Sequence, residues 1–317
     1  IKDFDLDELD EAGMIALCTL SSINWGVINK VEDLEEPCRL SVRALDNLLD
    51  YQEYPAKQAE RFVKRFRALG IGIIGLAHFL AKRDLGYNIN AVATVDEYME
   101  AMSYYLTDES VRLAEERGPC EWYKETCYGD GIFPWERRNK NIDKIVKHQL
   151  RFDWEELRER MIKYGIRNAT LMAIAPTESS SQLTGETNGI EPPVNMVTTK
   201  TSKDGTLKMV VPEILKLKNK YTYRWDMPNP RGYLTIMGVL QKWVDQSISV
   251  NMHYNPENYE DGQIPMSSIM KDFVFAMRIG LKNVYYCNTN DSGSGEDEQI
   301  PELEQVEDDE ICDSCVI

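Results

Sequence analysis

An α/β fold with a mainly parallel, buried sheet is what this sequence predicts, and three observations predict it. Short apolar, β-rich runs occur at 14–26, 168–176 and 281–288. Longer stretches with helical apolar spacing separate them. The runs read as strands buried on both faces, the pattern of a sheet covered by crossover helices.

In chain order, "MIALCTLSSINWG" (14–26) reads as a buried strand ended by a turn, and "CRLSVRALDNLLDYQ" (38–52) as a helix. "RFVKRFRALGIGIIGLAHFLAKRD" (61–84) is a helix, a glycine break and a second apolar element. "TVDEYMEAMSYYLTDESVRLAEERG" (94–118) reads as a strongly amphipathic helix, with Thr94 and Glu97 at capping-box spacing and Gly118 as its stop. "WEELRERMIKYG" (154–165) is a further helix and "NATLMAIAP" (168–176) a short buried strand. Helices at 232–249 and 265–280 precede a last strand, "LKNVYYCN" (281–288). No internal repeat is evident. After Lys282 no Lys or Arg follows, and the chain becomes Gly/Ser-rich and then acidic, too polar to order itself. One domain to residue 290 and a flexible arm over 291–317 are expected.

The formal charge of −17 over 317 residues disfavours non-specific nucleic-acid and anionic-membrane binding. The longest apolar run, 71–81, is too short to span a bilayer. Seven cysteines without framework spacing, and no secretory signal, suggest reduced thiols in a cytoplasm. The chain opens at Ile1 without methionine, as a piece of something longer would. His78, His148 and His253 show no metal-ligand spacing and the one CxxC lacks a second pair, so no bound metal is expected. No G-x-S-x-G motif supports hydrolytic chemistry.

Four features could carry chemistry. "APTESSSQLTGETNGIEPP" (175–193) follows a strand and offers Thr177, Ser179, Ser180 and Ser181 where a helix could begin. Free N–H groups and hydroxyls there suit a phosphate, although the Glu178 carboxylate would have to point away. An ordinary polar loop with a serine N-cap is the plainer reading. Tyr285 and Tyr286 are adjacent on a strand, one toward the core and one toward an interface if both only pack; stacked phenols could instead pass an electron and proton. Cys18 sits in a run expected to be buried, where thiols are usually inert. Cys38, Cys120, Cys127 and Cys287 read as structural.

Cys312 and Cys315 differ, because burial cannot explain them. A disulfide between them closes too short a loop to stabilise a fold. On a mobile arm the pair can attack a disulfide and then be re-reduced, although acidic neighbours slow it. About twenty flexible residues span roughly 25 Å, enough to reach a domain interior.

Together, "IALCTLSSINWG", "SVRALDNLLDYQEYP", "ALGIGIIGLAHFLAK", "RNATLMAIAPTESSSQLTGETNGIEPP", "SKDG", "QKWVDQSISVN", "NVYYCNT" and the terminal "CDSCVI" resemble one family. It is the large, catalytic (alpha) subunit of aerobic, class Ia ribonucleoside-diphosphate reductase of bacterial and phage type, and the resemblance is to its C-terminal portion. The resemblance implies the second half of a ten-stranded α/β barrel. It implies that Cys18 is one of two active-site thiols that reduce the ribose. Glu178, Ser179 and Ser180 would bind the substrate diphosphate, and Tyr285 and Tyr286 would relay a radical. Cys312 and Cys315 would re-reduce the active-site disulfide and be restored by thioredoxin or glutaredoxin. The helix at 265–280 resembles the surface on which the small, radical-generating subunit docks its C-terminus.

The departures define the rest of the expectation. The family's radical-bearing N-x-C-x-E motif occurs nowhere in the chain, and the second reducing thiol and both effector sites belong to the family's first half. The terminal CxxC is also shorter than in many bacterial relatives. The chain is therefore expected to be inert alone and active with a complementary N-terminal polypeptide. It would bind no cofactor of its own, the radical coming from a metal-containing small subunit. A non-catalytic fragment that captures the small subunit or a thioredoxin is the alternative. A stand-alone CxxC oxidoreductase fits less well, because the motif lacks a βαβ context.

Overall fold

The computed structural model describes residues 13–202 and 205–290. Cys312, Cys315 and the acidic arm lie outside the described residues.

The first apolar run is strand only over β1 (Leu20–Asn24). Ile15, Ala16, Leu17 and Cys18 ahead of it are exposed, against the expectation of burial. The reason is topological: β1 pairs on one side with β2 (Gly70–Ile74), and no described strand pairs with its other edge. Between them lie α1 (Glu35–Tyr51), which buries Cys38, Val42, Leu45 and Leu49 along one face, and α2 (Lys57–Phe66). β2 is buried throughout and leads through Gly75, at φ +78°, into the short α3 (Leu76–Ala81).

The next helix, α4 (Val92–Arg117), corrects the sequence reading twice. Thr94 and Glu97 form no capping box, because a 3₁₀ turn led by Asn88 starts the helix at Val92. Nor does α4 keep a solvated face: Asp96, Glu100, Asp108 and Glu109 are all buried. Cations from other elements make that tolerable. Arg39 and Arg160 each reach Asp108 at 2.6 Å, Arg151 reaches Glu100 at 2.9 Å, and Lys242 reaches Asp96 at 2.7 Å. The helix is thus a central strut, packed against α1, against α5 (Trp154–Tyr164) and against a later helix.

α5 starts at Asp153, whose carboxylate accepts the Glu156 N–H, and stops at Gly165 as expected. Residues 170–173 then run parallel to β2: Ile71 N–H donates to Leu171, and Ala173 N–H returns to Ile71. α6 (Glu178–Thr184) follows, then an antiparallel hairpin of β3 (Val197–Ser202) and β4 (Gly205–Val210) that the sequence reading does not anticipate. α7 (Ile214–Leu217) is one turn.

α8 (Arg231–Trp243) is buried over nearly its whole length but ends six residues before the expected 249. Two side chains account for the early stop. Asp245 takes the N–H groups of Leu171 and Met172, while Gln241 holds the carbonyls of Val244 and Gln246 and the N–H of Ile248. β5 (Val250–Tyr254), α9 (Met266–Arg278) and β6 (Val284–Thr289) complete a strand–helix–strand unit, with β5 and β6 parallel and bulged between Val250 and Met252. Every pairing except the hairpin is parallel, as predicted.

Candidate functional site

The serine-rich turn begins a helix where the sequence places one. Thr177 is the N-cap residue, and its hydroxyl is turned to Asn188 Oδ1 at 3.0 Å. Glu178, Ser179 and Ser180 form the exposed first turn, whose N–H groups have no acceptor within the helix. Ser181 is buried, and Gly185 at φ +65° ends the helix and returns the chain to Glu186.

A cavity of about 440 Å³ opens beside this helix, with Glu178, Ser181, Glu186, Glu191, Asn195 and Arg224 in its wall. Its Glu186 and Glu191 carboxylates are held by side chains from other segments. Glu186 is gripped by His78, whose Nδ1 lies 3.0 and 3.1 Å from its oxygens, while Nε2 lies 3.2 Å from Glu213. Glu191 receives Arg224 Nη2 at 2.8 Å and Asn251 Nδ2 at 2.7 Å. Gly26 and Gly75 are needed here, because a Cβ on either would strike the Glu186 side chain.

Asn251 also joins the cavity wall to the tyrosine pair: its Oδ1 accepts the backbone N–H of Tyr286 at 3.2 Å. The two tyrosine rings touch, with centroids 4.2 Å apart and planes at 61°. Both are exposed, at 60% and 56%, so the expectation that one would face the core is not met. β6 lies at a sheet edge, leaving both faces of this stretch uncovered among the described residues. The hydrogen-bonding Tyr285 hydroxyl holds the Tyr286 phenol above its usual range. On the inner side of β5, burial and the nearby Arg224 push His253 down to about 3, so it stands neutral against Trp225 and Tyr233.

The structure thus ties the serine turn's cavity to the tyrosine strand, but it does not bring Cys18 to either. Cys18 is exposed at the entry to β1, with no hydrogen bond or ring contact to α6 or to the tyrosines. Glu191, Asn251, Arg224 and the His78–Glu186 pair were not singled out from sequence. All but Arg224 lie within the quoted motifs, yet none of them was given a role there.

A parallel α/β scaffold, with a polar cavity where a helix begins beyond a strand, has the general build of an α/β enzyme domain. Residues 7–223 and 215–287 match the family described as ribonucleotide reductase, barrel domain, and the chain belongs to that family. It is 45% identical over 314 residues to the ribonucleoside-diphosphate reductase subunit alpha of Buchnera aphidicola from Acyrthosiphon pisum, covering 98% of this chain and 41% of that one. Against Escherichia coli K12 ribonucleoside-diphosphate reductase 1 subunit alpha, identity is 44%, over 84% of this chain and 35% of the relative. The enterobacteria phage T4 subunit alpha is 41% identical, over 95% and 40%. The chain spans about two fifths of the length of these relatives. No helix among the described residues is long and apolar enough to cross a membrane.

Proposed function

We propose that the chain is the C-terminal part of a ribonucleoside-diphosphate reductase large subunit, working in the cytoplasm once joined to the complementary N-terminal part. The observation that carries this reading is the Tyr285–Tyr286 ring contact on an exposed strand, tied through Asn251 and Glu191 to the cavity beside α6. A fold has no packing reason to place two touching tyrosines in solvent, whereas a radical path entering from another subunit needs them there.

In this reading the first-turn N–H groups and hydroxyls of Glu178, Ser179 and Ser180 hold the substrate diphosphate. Loss of the ribose 2′-hydroxyl as water takes two electrons. Cys18 and a thiol of the N-terminal part supply them and become a disulfide. Cys312 and Cys315 then reduce that disulfide by thiol exchange, and thioredoxin or glutaredoxin restores them. The exposure of Cys18 supports this, since the face it presents is available to the missing half. The radical arises on the metal-containing small subunit and effectors bind the N-terminal part, leaving no cofactor to this chain. Met266, Met270, Phe273 and Val274 form an exposed apolar stripe along α9 at helical spacing, suited to docking the small subunit's C-terminus.

The test is to co-express the chain with a polypeptide carrying the N-x-C-x-E motif, add a small subunit, and follow cytidine diphosphate reduction. Activity that is lost in Tyr285→Phe and Tyr286→Phe, and limited to a single turnover in Cys312→Ser/Cys315→Ser, supports the proposal. Full activity in both tyrosine variants would overturn it. Binding of the small subunit without any reduction would favour a capture fragment instead.

A further inference from the structure

A second cavity, of about 200 Å³, lies between the end of α8, the turn 134–139 and the loop joining α9 to β6. It sits ahead of β5 and β6, whereas α6 opens beyond the far end of the 170–173 segment. Four cationic side chains, Arg137, Arg138, Lys242 and Lys282, line it against one carboxylate, Asp245.

The partners of these groups leave positive charge facing the cavity. Lys242 is fully buried, and its ammonium donates to Asp96 Oδ1 at 2.7 Å. It also lies 4.6 Å from the centre of the Trp243 ring, so this ammonium is spent on the core and adds only its charge behind the cavity wall. Lys282 donates to the backbone carbonyl of Asp245 and not to its carboxylate. That carboxylate is turned to the strand, accepting the N–H groups of Met172 and Leu171 and the Tyr128 hydroxyl. Arg138 is engaged by Asp143 through two bonds of 2.8 Å. Arg137 is exposed and, among the described residues, makes neither a hydrogen bond nor an ion pair. Burial holds the Lys242 and Lys282 ammonium groups below the usual lysine range, a penalty that a nearby anion relieves.

We propose that this cavity binds a small phosphate-type oxyanion, held by Arg137, Lys282 and Arg138, with the buried Lys242 charge behind them. Charge-assisted bonds from ammonium and guanidinium groups are the strong kind for such a ligand. The volume lies below that of pockets which enclose a drug-sized molecule, so the site takes free phosphate or the phosphate end of a larger ester. The inference is independent of the reductase reading, since it uses none of that reading's residues.

Cys127 lies in the same wall and gives the readout. The full chain, in its native assembly, is treated with iodoacetamide and each cysteine's labelling is followed by peptide mapping. The parallel arms contain chloride, inorganic phosphate or a nucleoside diphosphate at matched ionic strength. Phosphate should slow labelling of Cys127 several-fold and leave Cys287 unchanged, and Arg137→Glu should remove the protection while Arg137→Lys keeps it. Stronger protection by the nucleotide assigns the site to a phosphate ester; stronger protection by phosphate assigns it to the free anion. Unchanged Cys127 labelling in both ligand arms, or protection that survives Arg137→Glu, overturns the proposal. Arg137 contacts no partner among the described residues, so its replacement leaves the fold intact.

Discussion

Asn251 and Glu191, sixty residues apart in sequence, are joined by a 2.7 Å hydrogen bond that couples the tyrosine strand to the wall of the α6 cavity. Asn251 uses both ends of its amide: Nδ2 toward Glu191, Oδ1 toward the Tyr286 N–H. A side chain spent in this way helps fix the distance between β5 and the Glu191 loop, which His253 Nε2 also approaches at 4.0 Å.

Asn251→Ala should therefore lower stability by about 1.5–3 kcal/mol, the usual worth of a bond to a charged group. In the reassembled enzyme it should reduce kcat more than KM, because the α6 residues proposed to hold the substrate are untouched. Urea unfolding and steady-state kinetics together check this.

His78→Ala should be more damaging. It leaves the Glu186 carboxylate buried without its imidazole partner. Removing the hydrogen-bond partner of a buried carboxylate costs more than the roughly 1–3 kcal/mol of an unsatisfied neutral group. Urea midpoints should show this loss, and a His78→Ala/Glu186→Gln double variant should recover part of it.

Asp245 makes stability depend on pH. Burial pushes its carboxyl up to about 6, against the bonds from Leu171 and Met172 that favour the charged form. The folded state thus holds a proton that the unfolded state has released, so this group's contribution falls as pH rises from 4 to 6. Relative to Asp245→Asn, the wild type should lose about 2 kcal/mol across that window. Paired unfolding curves at pH 4, 5, 6 and 7 measure it, and a constant difference would contradict the expectation.

Phe273→Glu tests the α9 stripe. Phe273 is exposed, so the change should shift stability by no more than about 0.5 kcal/mol. Binding of a peptide matching the small subunit's C-terminus, followed by fluorescence anisotropy, should fall below detection.

The parts of this protein that could be read from sequence are those set by neighbours in the chain. α5 was legible because Gly165 marks its end, and α9 because its apolar residues recur every three to four positions. The serine turn and the tyrosine pair were legible as contiguous motifs. The β3–β4 hairpin was not, since "VTTKTS" carries no alternation of apolar and polar residues.

By itself, then, the sequence determined the parallel α/β class, most helices and the family, because local periodicity, caps and contiguous motifs are written within a few residues. Tertiary structure alone decided which charges could be buried and which groups form the site. The buried acids of α4 are held by Arg39, Arg151, Arg160 and Lys242 from four other segments. Glu191 meets its partners Arg224 and Asn251 from 33 and 60 residues away. A lone Glu or Asn has no spacing to announce it; only the folded chain supplies the short distance that gives its charge a role.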